Sequence, residues 1–403
     1  MKHLTTNLTH YLVILLFSTF TLVANGAEEV ISKSYSVKSG GSLYIESDSG
    51  RIEIETWDKN IVDIKITKKS RKERKLGEFN LDIEHSGSDV SIEGEGEWNS
   101  RVSVTYYIRV PKEYDLDLKT GGGSISVNDI SGQIKMKTSG GAIKIGNVAK
   151  GNVDVDTSGG SIKVGNVNGN LKADTSGGKI IVGKITGKTD LDTSGGRIEV
   201  THSTGDLNAE TSGGSITIGT SDSNVNVNTS GGRIKIGMAQ GNVDANTSGG
   251  SITVEGSKGN IKIDSSGGNL FVGESGGYVK ADTSGGNITI KKANGYIEAD
   301  TSGGRIEAEM IQTDNSKDTH VSLDSSGGDV TLYIPKGIEA TVNAKLKISH
   351  SARRDYRIYS DFPLTIKGQD SSRVSAKGKI NGGGDKIDIS TSNGDIYIKM
   401  IED

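Results

Sequence analysis

The chain of 403 residues has no cysteine and only three prolines, and its aromatic residues are few, with 2 Trp, 12 Tyr and 5 Phe. The absence of cysteine excludes a disulfide framework, a cysteine-ligated metal site and a thiol nucleophile. Only 32% of the residues are hydrophobic, so we do not expect the bulky cores of two or three conventional globular domains. Neither sign of charge dominates, because 47 Lys and Arg residues face 51 Asp and Glu residues. This balance argues against nucleic acid as a partner.

Long apolar runs are also missing, apart from residues 11–24 near the start of the chain. That run is too short to span a bilayer and is followed by small residues, so we predict a signal peptide over residues 1–26, cleaved before Ala27. An uncleaved anchor is the alternative. No later run approaches the roughly 20 apolar residues of a transmembrane helix. We therefore expect an exported protein that is periplasmic, cell-surface associated or secreted, with no transmembrane segment in the mature chain.

Glycine, in contrast, is abundant, with 57 residues, and many of them belong to one repeated motif. The motif Thr/Ser-Ser-Gly-Gly begins at Thr138, Thr157, Thr175, Thr193, Thr211, Thr229, Thr247, Ser265, Thr283, Thr301 and Ser325. Its spacing is 19 once, 18 eight times in succession and 24 once. A fixed period of this order is typical of a solenoid, in which each coil buries its apolar side by stacking on its neighbours.

Within one period, residues 161–164 and 170–175 alternate between polar and apolar side chains, as in two short strands. We predict that Ile162, Val164, Leu171 and Ala173 point inward and that the glycine pair permits positive φ at a corner. The predicted fold is all-β: a parallel β-solenoid of 18-residue coils, more naturally flattened and two-sided than three-sided, with irregular β caps at both ends.

The departures from the period suggest the organisation of the chain. We predict an N-terminal β cap of wider coils over residues 27–119, a regular solenoid over 120–335, and C-terminal coils with a cap over 336–403. The single 24-residue interval predicts a six-residue surface insertion within residues 312–319.

Three segments of the chain carry a resemblance to a known family. Residues 46–57 read ESDSGRIEIETW, the glycine motif follows in series, and residues 391–398 read TSNGDIYI. This arrangement resembles the bacterial "putative adhesin" β-strand-repeat family, a domain of unknown function, over nearly all of the chain after residue 26. The resemblance implies a β-solenoid in the cell envelope, and it brings no catalytic residues with it.

Motifs that could indicate catalysis or metal binding are weak. Residues 273–277 (GESGG) match the Gly-x-Ser-x-Gly pattern, but they fall at a coil corner and not between a strand and a helix. The histidines after residue 26 lack the close spacing of a zinc motif; they are His85, His202, His320 and His350. We expect no enzyme, no catalytic residue, no cofactor and no metal site.

Acidic and amide residues precede the repeated motif and form one column if the coils stack in register. They are Asp156, Asp174, Asp192, Glu210, Asn228, Asn246, Asp264, Asp282 and Asp300. Carboxylates one strand spacing apart repel each other. Each side chain could cap backbone N–H groups in an Asx turn, or calcium could lie between neighbouring coils. The sequence leaves both alternatives open.

A basic stretch lies in a predicted connection between two strands. Six of the eight residues 68–75 are Lys or Arg. A solvated hairpin tip and a contact with an anionic component of the envelope, whether phospholipid or acidic glycan, are both compatible with this composition.

Tyr278 and Tyr296 are one period of the motif apart, so they should lie on one outward column of adjacent coils. We expect the two rings to form a flat platform on which a sugar or an aromatic ligand could stack, or to serve only in packing. Lys280 and Glu298 lie two residues further along the same strands and should face the same way. These four residues are the predicted ligand-binding site.

The sequence thus favours a non-enzymatic secreted or envelope β-solenoid that acts as a structural or adhesin-like binding surface. Its partner would be an envelope polymer, a glycan or a protein. A carbohydrate-active β-helix enzyme acting on acidic polysaccharide is one alternative, although few loops are available to build its groove. A component of envelope-stress sensing is another.

Overall fold

The computed structural model describes residues 17–23, 26–97, 101–312, 316–349, 355–369 and 371–401. Regular structure in these residues is β-strand apart from one 3-10 helix, η1 (Glu73–Glu78). The same residues contain no helix that is long and apolar enough to cross a membrane. The chain divides into two compact units. Residues up to Gly151 together with Val155–Gly160 form unit 1, and Asn152–Asp154 with Ser161–Asp403 form unit 2.

Unit 1 combines antiparallel and parallel strand pairs. Its strands are β1 (Phe17–Val23), β2 (Gly26–Ser36), β3 (Gly41–Ser47), β4 (Arg51–Trp57), β5 (Ile61–Ser70), β6 (Phe79–Ser86), β7 (Asp89–Gly96), β8 (Ser103–Pro111), β9 (Tyr114–Thr120), β10 (Ile125–Val127), β11 (Ile134–Thr138) and β12 (Ile143–Ile145). Strands β1, β2, β5 and β8 follow one another as antiparallel neighbours, and β6 pairs antiparallel with β7. Parallel pairing joins β3 to β7 and β9, β4 to β8 and β10, β9 to β11, and β10 to β12.

Unit 2 holds most of the repeated motif. After β13 (Val153–Thr157), which contains a boundary between the units, its strands are β14 (Ile162–Val164), β15 (Leu171–Thr175), β16 (Ile180–Ile185), β17 (Thr189–Thr193), β18 (Ile198–Ser203), β19 (Leu207–Thr211), β20 (Ile216–Ser221), β21 (Val225–Thr229), β22 (Ile234–Ala239), β23 (Val243–Thr247), β24 (Ile252–Ser257), β25 (Ile261–Ser265), β26 (Leu270–Ser275), β27 (Val279–Thr283), β28 (Ile288–Ala293), β29 (Ile297–Thr301), β30 (Ile306–Met310), β31 (Val321–Ser325), β32 (Val330–Pro335), β33 (Ala340–Lys347), β34 (Ile358–Ser360), β35 (Thr365–Lys367), β36 (Arg373–Ile380), β37 (Asp385–Ser392) and β38 (Ile396–Ile401).

Each regular coil of unit 2 contributes one strand to each of two sheets. Even-numbered strands from β14 to β32 pair in parallel in the even sheet, and odd-numbered strands from β15 to β31 do so in the odd sheet. Leu207 lies opposite Val225, and Ile216 lies opposite Ile234. One period of sequence is therefore one step of about 4.8 Å between neighbouring strands. The predicted parallel β-solenoid with two-sided coils is confirmed.

The core of unit 2 lies between the two sheets and consists of small aliphatic side chains. Ile162, Val164, Leu171 and Ala173 are each at most 2% exposed, which confirms the inward positions predicted from the alternation. Burying a Val, Leu or Ile side chain contributes roughly 1.5–3 kcal/mol relative to leaving it in water. Because every coil repeats this set, stacking supplies the stabilisation that a single coil lacks.

The first residue of the glycine motif is also buried, and its hydroxyl joins two coils. The Thr193 hydroxyl donates to the Gly178 carbonyl of the preceding coil at 2.8 Å, and the Gly196 N–H donates to Thr193 Oγ1 at 3.2 Å. Thr193 itself is 1% exposed. Because this buried hydroxyl both donates and accepts a hydrogen bond, it avoids the free-energy cost of a buried polar group that has no partner. This arrangement explains why Thr or Ser opens the motif.

The two glycines of the motif serve close packing, and the positive φ that we expected for them is wrong, since none of these glycines adopts left-handed backbone. A Cβ added to Gly232 would lie 1.8 Å from the Gly214 carbonyl oxygen of the preceding coil, whereas one on Gly231 would lie 3.7 Å from the Gly213 oxygen. The second glycine is therefore required because backbone meets backbone at this corner. Positive φ occurs instead at the opposite corner of the first coils, at Gly132 (153°), Gly151 (134°) and Gly169 (156°).

The C-terminal part of unit 2 departs from the regular coils, as the sequence predicts. β31 pairs with β37 and β32 with β38, while β33 pairs in parallel with β37 and antiparallel with β36. Residues 313–315 of the predicted insertion lie outside the described residues. On its two sides, Gln312 Nε2 donates to Asn294 Oδ1 at 2.9 Å, and the Thr319 N–H donates to Asp385 Oδ2 at 2.8 Å.

Two predictions about the organisation of the chain stay predictions. Within the predicted signal peptide, Phe17–Val23 forms β1, with Val23 opposite Gly26 of β2, and residues 1–16, 24 and 25 lie outside the described residues. Cleavage before Ala27 is therefore untested, as are the domain boundaries predicted after residues 119 and 335.

Candidate ligand-binding surface

Three rings stack on one another on the outward face of the odd sheet. Tyr278 and Tyr296, which precede β27 and β29, have ring centroids 4.6 Å apart and planes inclined by 12°. His320, which precedes β31, stacks on the other side of Tyr296 at 4.4 Å and 16°. We call Tyr278, Tyr296 and His320 the aromatic column. The strand spacing of the odd sheet sets this distance, because each ring occupies the same place in its coil.

Lys280 and Glu298 flank the aromatic column, so the structure brings the four predicted residues together. Lys280 Nζ lies 2.7 Å from Glu298 Oε2 and within 5.9 Å of both tyrosine ring centroids. His320 Nε2 lies 3.3 Å from Glu298 Oε1. The hydrogen bond from Lys280 is the main cause that lowers the pKa of the Glu298 carboxyl. The group therefore holds its charges paired beside the rings.

The rings do not form the flat platform that we expected. At 4.6 Å and 4.4 Å between centroids, no ligand ring fits between them, so both faces of Tyr296 are covered. Tyr278 has Tyr296 on one face, and its other face is directed toward Asn260, the equivalent residue of the preceding coil. The column therefore has no room for a ligand between its rings, and Tyr278 is the ring that ends it on the side of Asn260.

His320 belongs to the aromatic column, although the sequence reasoning did not include it. The insertion lies between Tyr296 and His320, so the interval between them is longer than the regular period. The longer interval conceals that the two residues occupy equivalent positions in their coils. A signal was available, because His320 directly precedes Val321 just as Tyr296 directly precedes Ile297 at the start of its strand. Counting backward from the strands would have placed His320 in the column.

Before Tyr278, the same position in the coil is held by an asparagine ladder. Asn242 N–H donates to Asn224 Oδ1 at 2.9 Å, Asn260 N–H donates to Asn242 Oδ1 at 2.8 Å, and Tyr278 N–H donates to Asn260 Oδ1 at 3.1 Å. Each amide oxygen therefore caps the backbone of the next coil, which satisfies a corner N–H. The ladder ends at Tyr278, where stacking replaces the amide cap.

An open groove of about 480 Å³ runs along the odd sheet beside the asparagine ladder. It is lined by Lys188, Asp206, Leu207, Asn208, Asn224, Val225, Asn226, Asn242, Val243, Asp244, Asn260, Lys262 and Tyr278. Five of these thirteen side chains carry amides, and the two lysines are balanced by two aspartates. Tyr278 is the one aromatic residue of the groove, which is therefore a polar channel bordered by a ring.

Comparison with known families identifies one family model that matches most of the chain. The Toastrack DUF4097 family model matches the chain twice, over residues 41–226 and 215–399. The chain belongs to this family. This result confirms the resemblance found in the sequence, namely a bacterial adhesin-like β-repeat domain of unknown function. No curated protein matches the chain.

Several solved structures are similar to this Toastrack chain. A "putative adhesin" from Bacteroides fragilis shares 15% identity with a TM-score of 0.31, over 56% of this chain and 95% of the other. A "putative adhesin" from Parabacteroides distasonis shares 16% with a TM-score of 0.26, over 70% and 95%. A "putative lipid binding protein" from the same organism shares 14% with a TM-score of 0.22, over 70% and 97%. Membership of the family rests on the family model and not on these structures.

A second open groove in the Toastrack chain, of about 350 Å³, follows the column of acidic residues. The pKa values of the Asp192, Asp282 and Asp300 carboxyls are raised by burial first and then by neighbouring carboxylates. The Asx cap considered for this column is not found at Asp192, because the N–H groups of Ser194 and Gly195, two and three residues on, donate to the Thr175 and Ser176 carbonyls of the preceding coil. No group of three or more His, Asp or Glu side chains able to hold a metal ion occurs in the part of the chain that the structure describes.

The Gly-x-Ser-x-Gly pattern at residues 273–277 has a structural role in this Toastrack chain. Ser275 is fully buried, and its hydroxyl lies 3.2 Å from the Gly259 carbonyl oxygen and 3.1 Å from that of Gly277. A nucleophile needs an accessible oxygen with a base beside it, and Ser275 instead donates to the backbone of the corner.

Each of the three described histidines that follow residue 26 has contacts of its own. His85 stacks on Tyr35, and His202 Nδ1 lies 2.7 Å from Thr220 Oγ1. His320 belongs to the aromatic column, whereas His350 lies outside the described residues. A second stacked pair on the even sheet, Tyr359 and Tyr397 with centroids 5.0 Å apart, was also missed from the sequence.

Proposed function

We propose that this chain is an exported, non-enzymatic binding protein whose groove on the odd sheet holds a neutral polyhydroxylated polymer, such as an envelope glycan. The observation that carries the proposal is the groove itself, whose lining includes five asparagine amides and the ring of Tyr278. Sugars require both hydrogen-bonding groups and an apolar face, and the groove supplies both. The apolar run at residues 11–24 supports export.

The hydrogen-bonding capacity of the groove is directed outward. The amide oxygens of Asn242 and Asn260 accept backbone N–H groups, and their Nδ2 groups have no partner among the described residues. These amides therefore remain available as donors, while Asp206 and Asp244 offer acceptors along the same groove. Because Lys188 and Lys262 balance the two aspartates, the groove favours a ligand without net charge.

The repetition of the groove favours a polymer over a small molecule. The same polar positions recur in successive coils, from Asp206 through Asn224 and Asn242 to Asn260. A chain with repeated units can contact several coils in the same way, so that weak contacts add along its length. A single sugar would use only the end near Tyr278.

The proposal is tested by finding a ligand on a glycan array with the full chain and then measuring its Kd for matched variants. Tyr278→Ala removes the aromatic ring that lines the groove and should weaken binding by about fivefold, which corresponds to about 1 kcal/mol of stacking. Tyr296→Leu should leave the affinity nearly unchanged, since both faces of Tyr296 are covered. Phe271→Ala removes a half-buried ring from the even sheet and serves as the aromatic control.

Two results would contradict this function. An equal loss of glycan affinity in the Tyr278 and Phe271 variants would mean that the binding surface lies elsewhere. Release of new reducing or unsaturated ends from the bound glycan, abolished by one substitution, would establish the carbohydrate-active enzyme instead.

A further inference from the structure

The basic stretch of the sequence forms a pocket in unit 1, separate from the groove of the proposed function. Strand β5 ends at Ser70, and a short turn leads into η1. A pocket of about 550 Å³ opens there, lined by Ser70, Arg71, Lys72, Lys75 and Arg101. Four of its five lining residues are cationic, and Arg101 comes from the chain segment just before β8.

The cations of this region divide into two groups with different roles. Lys68 is 6% exposed, pairs with Glu29 at 2.8 Å, and donates to the Leu76 and Phe79 carbonyls at 3.2 and 3.1 Å. Lys69 pairs with Glu28 at 3.2 Å. These two lysines are structural, and they hold β5 against β2 and η1.

The second group points to solvent without an acidic partner. Arg71, Lys72 and Arg101 are exposed, and no carboxylate among the described residues lies within ion-pair distance of them. Lys75 is the one lining cation that has such a partner, Glu78. The pocket therefore retains a net positive charge, which favours an anionic ligand.

The position of the pocket in the chain indicates where that ligand lies. Ala27 is paired with Ser70, and an adjoining cavity of about 400 Å³ is lined by Gly26, Ala27, Arg71 and Arg101 among others. The apolar run at residues 11–24 thus ends immediately before the residues that line this cavity. If this run is the uncleaved anchor, the cations immediately beside it meet the phosphates of the lipid surface. If residues 1–26 are removed, the new amino group of Ala27 adds a further positive charge at the same place.

We propose that this pocket binds the phosphate group of an anionic phospholipid at the membrane surface. The guanidinium groups of Arg71 and Arg101 can each donate two hydrogen bonds to one phosphate, and Lys72 adds a point charge. The pocket would orient unit 1 on the membrane independently of what the odd-sheet groove holds.

The test measures binding of the full chain to phosphatidylcholine vesicles with and without phosphatidylglycerol. Any contribution of the apolar segment is common to both vesicle types, so the ratio of the two affinities reports the pocket. Each cation near an anionic surface increases the affinity for that surface by about fivefold. The triple variant Arg71→Gln, Lys72→Gln, Arg101→Gln should therefore reduce the ratio of the two affinities on the order of 100-fold. The ratio for the parent chain should also fall between about 0.1 M and 1 M salt, because the Debye length shortens from about 10 Å to 3 Å.

The matched control removes three cations of unit 1 that lie elsewhere, Lys38→Gln, Lys144→Gln and Lys150→Gln. These lysines are exposed and form no ion pair within the described residues. Their removal should leave the ratio within a few-fold of the parent value. Circular dichroism of both triple variants checks that they fold as the parent does.

Three outcomes would overturn the proposal. The affinity ratio of the control variant could fall as much as that of the pocket variant, which would mean that the preference for anionic vesicles depends only on the net charge of the protein. The parent could show no preference for anionic vesicles. Glycerol phosphate or a soluble acidic polysaccharide could bind to the pocket while vesicles do not, which would identify a soluble anion and not a membrane as its ligand.

Discussion

At the scale of single residues, the column of acidic and amide residues that precedes the glycine motif shows how stacked like charges reduce stability. Asn246 Nδ2 donates to Asn228 Oδ1 at 3.1 Å, and Asn228 Nδ2 lies 3.3 Å from Glu210 Oε1, so the amides of this column bond to the preceding coil. Asp282 and Asp300 occupy equivalent positions, and their raised pKa values record burial and mutual repulsion. The same position is therefore favourable for an amide and unfavourable for a carboxylate.

We predict that Asp282→Asn raises the melting temperature at neutral pH. The folded-state pKa of Asp282 lies above its unfolded value, so the ionised side chain destabilises the fold once the pH exceeds both values. As the pH falls through the folded pKa toward about 4, the aspartate becomes neutral and the gain from asparagine should disappear. Thermal unfolding followed by circular dichroism at several pH values measures this gain.

The control for this prediction is Asp206→Asn, because hydrogen bonds from Ser223 and Asn224 lower the pKa of Asp206. A lowered pKa means that the charge is favourable in the folded state above the unfolded pKa, so this variant should melt at a lower temperature at pH 7. A loss of stability for Asp282→Asn at neutral pH would show that repulsion in the column is not significant.

At the scale of the strand and its corner, the coils can stack at their observed distance because the second residue of each glycine pair has no side chain. The backbone of Gly232 faces the Gly214 carbonyl with no space for a methyl group, whereas Gly231 has an ordinary contact distance. Both residues are glycines in the same turn, so they form a matched pair.

We predict that Gly232→Ala destabilises the protein by about 3 kcal/mol or more, because the added methyl must push two coils apart against their hydrogen bonds. Gly231→Ala should change stability by no more than about 1 kcal/mol. Denaturant unfolding of the two variants measures the difference. Equal effects would mean that the pair serves backbone flexibility and not close packing.

At the scale of the whole molecule, the regular coils of unit 2 behave as repeats that contact only their neighbours. The register advances by one period of the motif at each step, from β19 through β21 to β23 in the odd sheet and in the same way in the even sheet. Stability should then be close to a sum over coils and their interfaces.

We predict that deletion of residues 229–246, one complete coil, leaves a folded protein with a moderately lower melting temperature. The deletion joins Asn228 to Thr247, which repeats a natural junction and keeps the inward side chains in register. Deletion of residues 238–246, half a coil, would place a strand of one sheet where the other sheet belongs, and it should prevent folding. Circular dichroism and thermal unfolding distinguish these outcomes, and equally unfolded variants would contradict the repeat model.

The sequence by itself determined the architecture and the inward face of each coil. An alternation with period two and the fixed spacing of the motif are local properties, so they predict that Ile162 and Leu171 are buried without knowledge of any distant contact. The same period and alternation also predict that four outward residues share one surface, namely Tyr278, Tyr296, Lys280 and Glu298. Their role in ligand binding stays a prediction.

Only the tertiary structure decided how neighbouring coils meet. The stacking of rings at 4.6 Å and the need for glycine at position 232 depend on distances between chain segments. His320 joins the aromatic column because the preceding insertion changes its sequence offset but not its place in the sheet. Likewise, the division of a basic stretch into paired lysines and unpaired pocket cations depends on which strands lie beside it. Such contacts join residues far apart in the chain, and hydrogen bonding between strands, not local periodicity, sets their geometry.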